Sequence, residues 1–306
     1  MLSRTADNIY WMARMVERAE AAARVLEAAY RMEQLPGAGA GWEPVLTIFG
    51  QIDAFREKGV EMTAKNVLDF MIFDSENPSS IYSCVKSARE NARSERSVLP
   101  EELFESLNAT WIELQGLSYA KVERNGWRDF FEWVKDRTEL FRGMAVSMMV
   151  CDDAFQFERM GAYLERADTT ARLLDVKYHI LPPSDDADKG LVDYYQWGEV
   201  LRAVGGWQAY RTLYKDVPTP EKIVDMLVFN PVFPRSLRSA YGEIVTSLGA
   251  LKKESLSLKI AAQEQTYLST ATTKDILKGR PLHDFLTDFV VFTANLSVQI
   301  GRDFMV

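Results

Sequence analysis

One stretch of sequence occurs twice in this 306-residue chain, and that repetition limits the possible folds more than any other feature. Residues Val16 to Arg31 read VERAEAAARVLEAAYR, and Leu164 to His179 read LERADTTARLLDVKYH. Seven of sixteen positions are identical and five more are conservative exchanges, where chance gives about one identity. Each copy carries a Glu-Arg pair, Glu17-Arg18 and Glu165-Arg166. The likeness continues downstream. Trp42, Val45, Leu46, Gly50, Ala54, Phe55 and Arg56 match Trp197, Val200, Leu201, Gly205, Ala209, Tyr210 and Arg211. Asp69, Phe73, Pro78 and Ser80 match Asp225, Phe229, Pro234 and Ser236, and Asp129-Phe130 pairs more weakly with Asp284-Phe285. The offset is 148 in the first block and 155 or 156 afterwards, so one insertion is placed around Pro182 to Lys189.

Periodicity identifies the repeated unit as helical. Ile9, Met12, Val16, Ala19, Ala23, Leu26 and Tyr30 recur at spacings of three and four, the apolar stripe of an amphipathic helix. Ser3 or Thr5 can cap its start, with Asp7 in the first turn. Leu35 to Gly41, rich in glycine, ends it in a flexible loop. Further helices are predicted over 43–57, 64–72, 78–96, 100–120, 127–149, 152–180, 191–213, 219–229, 234–268 (broken or continuous) and 282–303. Pro182 to Asp186 and Val217 to Pro220 read as breaks. No run of alternating β-branched residues calls for a sheet. The expected fold is all-α: a helical bundle built from a tandem duplication, with units 1–150 and 151–306 packed as one compact body. Its two Glu-Arg helices are expected to meet near a pseudo-two-fold axis.

Composition excludes several function classes. Hydrophobic residues make up 47% of the chain, enough for a sizeable core. The net charge is −8 and the pI about 5.1. Such a surface repels phosphate backbones and anionic membranes, so no nucleic acid and no membrane partner is expected. No apolar run follows Met1 to Arg4 as in a signal peptide. The longest apolar stretch, Phe289 to Ile300, is interrupted by Thr293, Asn295, Ser297 and Gln299 and falls short of the roughly 20 residues a spanning helix needs. A cytoplasmic protein is expected. Cys84 and Cys151 lack partners at metal or redox spacing and read as free, buried thiols. His179 and His283 stand in no His-Glu-x-x-His or Glu-x-x-His pattern. No metal and no cofactor is expected, and neither a phosphate loop nor a familiar nucleophile motif occurs.

The N-terminal string Leu2-Ser3-Arg4, Ile9 to Arg14, Val16 to Glu20 and Ala23-Arg24 resembles the opening of the bacterial alpha-E family, also called domain of unknown function 403. The string Phe157 to Gly161, Tyr163 to Asp168 and Ala171-Arg172 resembles its second signature. Ala88 to Arg93 with Arg96, then Phe104-Glu105 and Leu107-Asn108, resemble its middle motif. The resemblance spans nearly the whole chain, with two departures. Ala162 stands where an arginine is usual, and Phe104 where a tryptophan is usual. The first departure makes the copies unequal, so a single working site is expected nearer the first signature helix, around Arg14, Glu17 and Arg18. The resemblance implies an all-helical protein. The family's genes lie beside, or are fused to, those for an atypical ATP-grasp enzyme and a transglutaminase-like protein. The implied setting is ATP-driven amide or peptide ligation, with an ATP-grasp-type ligase and the transglutaminase-like protein as partners.

The charged positions of the signature helices allow two readings. Tyr10, Arg14, Glu17, Glu20 and Arg24 lie along the first helix, and Asp168-Arg172-Asp175 repeats Glu20-Arg24-Glu27. One reading is a buried ion-pair lattice that locks helix register. The other is a polar pocket in which Arg14, Arg18, Arg159 and Arg166 hold a carboxylate or phosphate, with Glu17 or Glu165 as acid or base. Arg4, Tyr10, Arg24 and Arg172 complete that set of anion-binding candidates. Lys86, Arg89, Arg93 and Arg96 form a basic stripe, either a solvated face or a docking site for an anion or acidic partner, with Asn91 and Asn108 as hydrogen-bonding neighbours. Trp42, Trp127, Trp133, Trp197 and Trp207 read as core. His179 reads as a charge at a helix C-terminus and His283 as a first-turn surface residue. Three functions remain open: an accessory or binding module of an ATP-grasp-associated ligation system, a transferase or amide-forming enzyme using the Glu/Arg cluster, and a structural homodimer.

Overall fold

The computed structural model describes residues 1–34, 41–179, 187–251, 254–279 and 281–305. Among the described residues there are helices and no strand. In chain order the helices are α1 Ser3–Glu33, α2 Glu43–Ile48, α3 Ile52–Glu57, α4 Ala64–Ile72, α5 Ile81–Ser94, α6 Glu101–Gln115, α7 Tyr119–Asn125 and α8 Trp127–Met148. They continue with α9 Asp153–His179, α10 Ala187–Ala203, α11 Trp207–Tyr214, α12 Pro220–Val224, α13 Leu237–Ala250, α14 Leu256–Thr270, α15 Thr273–Gly279 and α16 Leu282–Phe304. A π-helical turn, Asp225–Phe229, extends α12. The loop expected over Leu35 to Gly41 lies outside the described residues except for Gly41, and so does the break expected at Pro182 to Asp186.

α1 and α9 form the centre and run in the same direction. The N-terminal amine of Met1 faces Asp153 at 3.5 Å, Arg14 meets Glu165, and Val25 shares a cavity wall with Leu173. α1 is flanked by α5, α8 and α10, and α9 by α13 and α16. Most of α1 is therefore buried. That placement decides the chemistry of its charged residues, because Glu17 and Glu20 cannot reach water.

Small residues let the two helices touch. Ala13, Ala19, Ala167 and Ala171 are buried along them. The approach is very close at Gly161, where an added methyl would strike the backbone carbonyl oxygen of Tyr10. Overpacking of this kind costs about 3 kcal/mol when the obstacle is backbone, and alanine's better helix propensity returns about 1 kcal/mol. Gly161→Ala should thus lose about 2 kcal/mol in urea unfolding. Equal or higher stability would mean that the helices are not in contact at this point.

Several predicted helices are broken, for a local reason. The helix predicted over 43–57 is two helices, α2 and α3, separated at Gly50, whose φ is +64°. The helix predicted over 191–213 is divided between α10 and α11 at Gly205, whose φ is +62°. Both turns close in the same way. Gly50 N–H donates to Thr47 O at 3.0 Å and Gln51 N–H to Leu46 O at 2.8 Å. Gly205 N–H donates to Arg202 O at 2.8 Å and Gly206 N–H to Leu201 O at 2.6 Å. A left-handed glycine ends a helix at little cost while the apolar period runs on through it. Two N-caps also match. Ser80 Oγ accepts from Ser83 N–H at 3.1 Å and donates to Asp74 O at 2.7 Å. Ser236 Oγ accepts from Ser239 N–H at 3.0 Å and donates to Asn230 O at 2.5 Å. The short α7 and α15 are not predicted as separate helices, and the stretch over 234–268 breaks between α13 and α14.

Cys84 is buried, and burial pushes its thiol up to about 12. Cys151, expected in the core, is exposed because it sits in the turn joining α8 to α9. Trp42, Trp127 and Trp197 are buried, whereas Trp133 and Trp207 are half-buried against the core. Among the described residues no helix is long and apolar enough to cross a membrane.

Candidate functional site

The two Glu-Arg pairs cross. Each glutamate is held by the arginine of the other helix rather than by its own neighbour. Arg166 forks onto Glu17, with Nε to Oε1 at 2.9 Å and Nη2 to Oε2 at 2.9 Å. Arg18 forks onto Glu165, with Nε to Oε1 at 2.5 Å and Nη2 to Oε2 at 3.0 Å. Parallel helices place corresponding positions opposite one another, so the exchange follows from their direction. Bidentate pairing of this kind is strong and geometrically specific.

Neighbouring elements occupy the remaining acceptor positions. Arg14 reaches Glu165 Oε2 through Nε at 2.9 Å, and its Nη1 donates to Ser297 Oγ on α16 at 2.8 Å and to Tyr10 OH at 3.3 Å. Position 162, which corresponds to Arg14, is a buried alanine. Glu17 is instead completed by Arg142 of α8, at 2.8 Å, and by Arg235 ahead of α13, at 2.8 Å. Arg142 and Arg235 also bond to Glu20, the latter at 2.8 Å, and Arg24 adds a bond to Glu20 at 2.6 Å. Two turns further along α1, Glu27 takes Arg31 at 2.6 Å and Lys135 at 2.9 Å.

Burial sets the electrostatics. Glu17, Glu20 and Glu165 are 1%, 0% and 2% exposed. Burial alone would raise their pKa values. The guanidiniums of Arg166, Arg235 and Arg142 outweigh it at Glu17 and hold its carboxyl well below the usual range. At Glu20 burial is outweighed by Arg235 and Arg142, which bring it down to about 2; at Glu165 it is outweighed by Arg18 and Arg14. Four N–H groups aim at Glu17, which fills the roughly four lone-pair sites of a carboxylate. A carboxylate so saturated and so acidic is a weak proton acceptor.

Glu158, also on α9, behaves in the opposite way. It is 4% exposed, and its carboxylate takes part in none of the ion pairs of the described lattice. Burial raises it to about 7, with Arg166 and Arg159 offsetting only part of that rise.

The structure thus brings Tyr10, Arg14, Glu17, Arg18, Glu165 and Arg166 together and adds Arg24 at the margin. It separates others. Arg159 turns to Glu243 on α13 and lies over the rings of Phe155 and Tyr163, at 5.4 Å and 5.6 Å, because its position faces α13 rather than α1. Arg172 pairs with Asp168 at 2.8 Å one turn back on its own helix, and Arg4 is exposed near the start of α1. The Glu-Arg cluster, expected to centre nearer the first signature helix, draws its side chains from α1 and α9 alike. The basic stripe is largely engaged. Arg89 donates to Asn108 at 3.0 Å and pairs with Glu90, Arg93 pairs with Glu90 at 2.7 Å, and Arg96 lies over Phe104 at 4.5 Å. Lys86 is exposed. His283 pairs with Asp175 at 2.7 Å, which ties α16 to α9, while the side chain of His179 lies outside the described residues. Sequence reasoning missed Arg142, Arg235 and Glu158. Arg235 alone left a signal: it stands where the first copy has Ser79, a charge beside a helix cap with no local partner.

Among the described residues no group of three or more His, Cys, Asp or Glu side chains is arranged to hold a metal ion. A family model matches over residues 1–305: Alpha-E, described as a predicted alpha-helical domain with a conserved ER motif. No curated protein matches the chain, and no solved structure does.

Proposed function

Because the chain belongs to the Alpha-E family, we propose that it is a binding or accessory component of an ATP-grasp-associated amide or peptide ligation system, in which the Glu-Arg motif holds the scaffold rather than reacting. One observation carries this reading: Glu17 and Glu165 are buried and each spends its acceptor capacity on guanidiniums, those of the opposite helix foremost. A general acid or base needs an open side and a pKa near the working pH; neither carboxylate has them. The ligase and the transglutaminase-like protein enter as partners through the family's gene neighbourhood.

We also read the two halves, 1–150 and 151–306, as products of a duplication. The parallel α1 and α9, the crossed Glu-Arg pairs, the matching turns at Gly50 and Gly205 and the matching caps at Ser80 and Ser236 support this. The unequal position, Arg14 against Ala162, is then compensated by Arg142 and Arg235.

The test is ATP consumption by the chain mixed with the ligase and transglutaminase-like protein of its own gene neighbourhood. Wild type, Glu17→Gln and Glu165→Gln are compared at a temperature where circular dichroism shows all three folded. Turnover per folded molecule should stay within about threefold of wild type. A loss of about 100-fold in a folded variant, the size expected for removing a general acid or base, would overturn the scaffold reading. Failure of the mixture to show any turnover above the ligase alone would overturn the accessory role.

A further inference from the structure

Next to the ion-pair lattice, on the following turns of the same helices, the chemistry reverses. α1, α2, α9 and α10 line a cavity of about 270 Å³. Packing in a protein interior leaves few voids larger than a water molecule, and an unfilled one costs stability in proportion to its volume.

The wall comes from matching positions of the two repeated stretches. Val25 and Leu173, Ala28 and Val176, and Ile48 and Ala203 all line it. Ala28 and Ala203 stand where the other half has Val176 and Ile48, so alanine at these two positions leaves room that the matching side chain would take up. All six side chains are aliphatic and offer water no hydrogen bond. An apolar cavity of about 150 Å³ stays dry and takes up benzene. This one has nearly twice that room, enough for about eight to ten carbon atoms.

Three charged residues are among those lining the cavity, Glu33, Lys177 and Glu199, and each is engaged within the protein. The oxygens of Glu199 are held by Arg31 at 2.9 Å and by Arg202 at 2.5 Å. Lys177 is buried with its ammonium 4.9 Å over the ring of Trp197. Glu33 accepts from Trp42 Nε1–H at 3.3 Å and is exposed, so the cavity reaches solvent beside it. An ion carried inside would therefore leave water for an aliphatic wall with no counter-ion reserved for it, and such a transfer is costly. A neutral apolar body gains from the same transfer, in proportion to the area it removes from water.

We propose that this cavity binds a neutral aliphatic molecule of about eight to ten carbons, enclosed by α1, α2, α9 and α10. The site is separate from the Glu-Arg lattice and does not depend on the accessory role argued above. Concave, mostly apolar pockets are the usual form of a small-molecule site.

Isothermal titration of the full chain at neutral pH with octan-1-ol, octanoate and octylamine tests it. The three probes share an apolar body and differ in charge. Octan-1-ol should bind one to one and at least about tenfold tighter than either ion. Across butan-1-ol, hexan-1-ol and octan-1-ol the affinity should rise about fourfold per methylene. Ala28→Val combined with Ala203→Ile should fill the cavity, weaken octan-1-ol at least about tenfold and raise the thermal midpoint. The probe series on the wild-type chain decides the matter if the double variant does not fold. Absence of saturable octan-1-ol binding, an ion bound as tightly as the alcohol, or unchanged octan-1-ol binding in the folded double variant would overturn the site.

Discussion

Glu17→Gln should lower the unfolding free energy by about 3–5 kcal/mol, the cost of stranding buried charge. The substitution keeps the shape of the side chain, removes its charge and turns one accepting oxygen into an NH2 donor that faces guanidinium donors. Three guanidiniums then lose their common counter-ion: Arg166, Arg142 and Arg235. Burial already lowers the pKa of Arg235, so its charge is the most costly to leave with Glu20 alone. Glu165→Gln should cost somewhat less, because it serves two arginines and Arg18 is partly exposed. The exposed pair of Glu43 and Arg56, at 3.0 Å, supplies the control. Glu43→Gln should cost no more than about 1 kcal/mol, since solvent screens the pair. Urea unfolding at neutral pH measures all three. A Glu17→Gln variant as stable as Glu43→Gln would show that the lattice is solvated and that its geometry has little energetic consequence.

Between pH 5 and pH 8 the wild-type protein should lose about 2.5 kcal/mol of stability that Glu158→Gln does not lose, from 1.36 kcal/mol per pKa unit. The sign follows from the direction of the shift. Glu158 titrates near 7 when folded and near 4.5 otherwise. Between those values the folded chain keeps a proton that the unfolded chain has released. The contribution is complete below pH 4.5 and is gone once the pH passes 7. Glu17, Glu20 and Glu165 act in the opposite sense, since their folded pKa values are depressed. Their contribution is present above pH 4.5 and lost as the pH falls; for Glu20 the loss runs down to about 2. The two limbs therefore separate. Asp168 is also raised, by burial, and slopes the same way as Glu158, so the difference between wild type and Glu158→Gln is the quantity to measure. Parallel pH profiles for the two proteins would remove the assignment.

The lattice gives a physical account of how α1 and α9 keep their register. A buried ion pair adds little net stability over a well-packed apolar contact, but it is costly to misplace. A slip of α1 against α9 by one residue would leave charges without partners on both helices. Close contact at Gly161 has the same effect on register through sterics. The two devices act on the same helix pair, against which α5, α8, α10, α13 and α16 pack.

Helical class was legible in the sequence because an apolar period of three to four residues is a local property. Helix ends at Gly50 and Gly205 were harder, since the period continues across both glycines and only a left-handed φ ends the helix there. The Glu-Arg pairs themselves were also legible, as the repeated feature. Their pairing was not. In one helix Glu17 and Arg18 point to different sides, so neither can be the other's partner, and the sequence contains no record of which distant arginine fills the gap. Arg142 and Arg235 reach Glu17 from 125 and 218 residues away. Glu158 differs from Glu17 by neither residue type nor helical setting, yet one is raised to about 7 and the other lowered. What the sequence determined by itself was the set of helices and the charges they carry. Which charges were removed from water, and which of those met a partner, was decided by the parallel packing of α1 on α9, because desolvation and Coulomb energy depend on distances that only the folded chain defines.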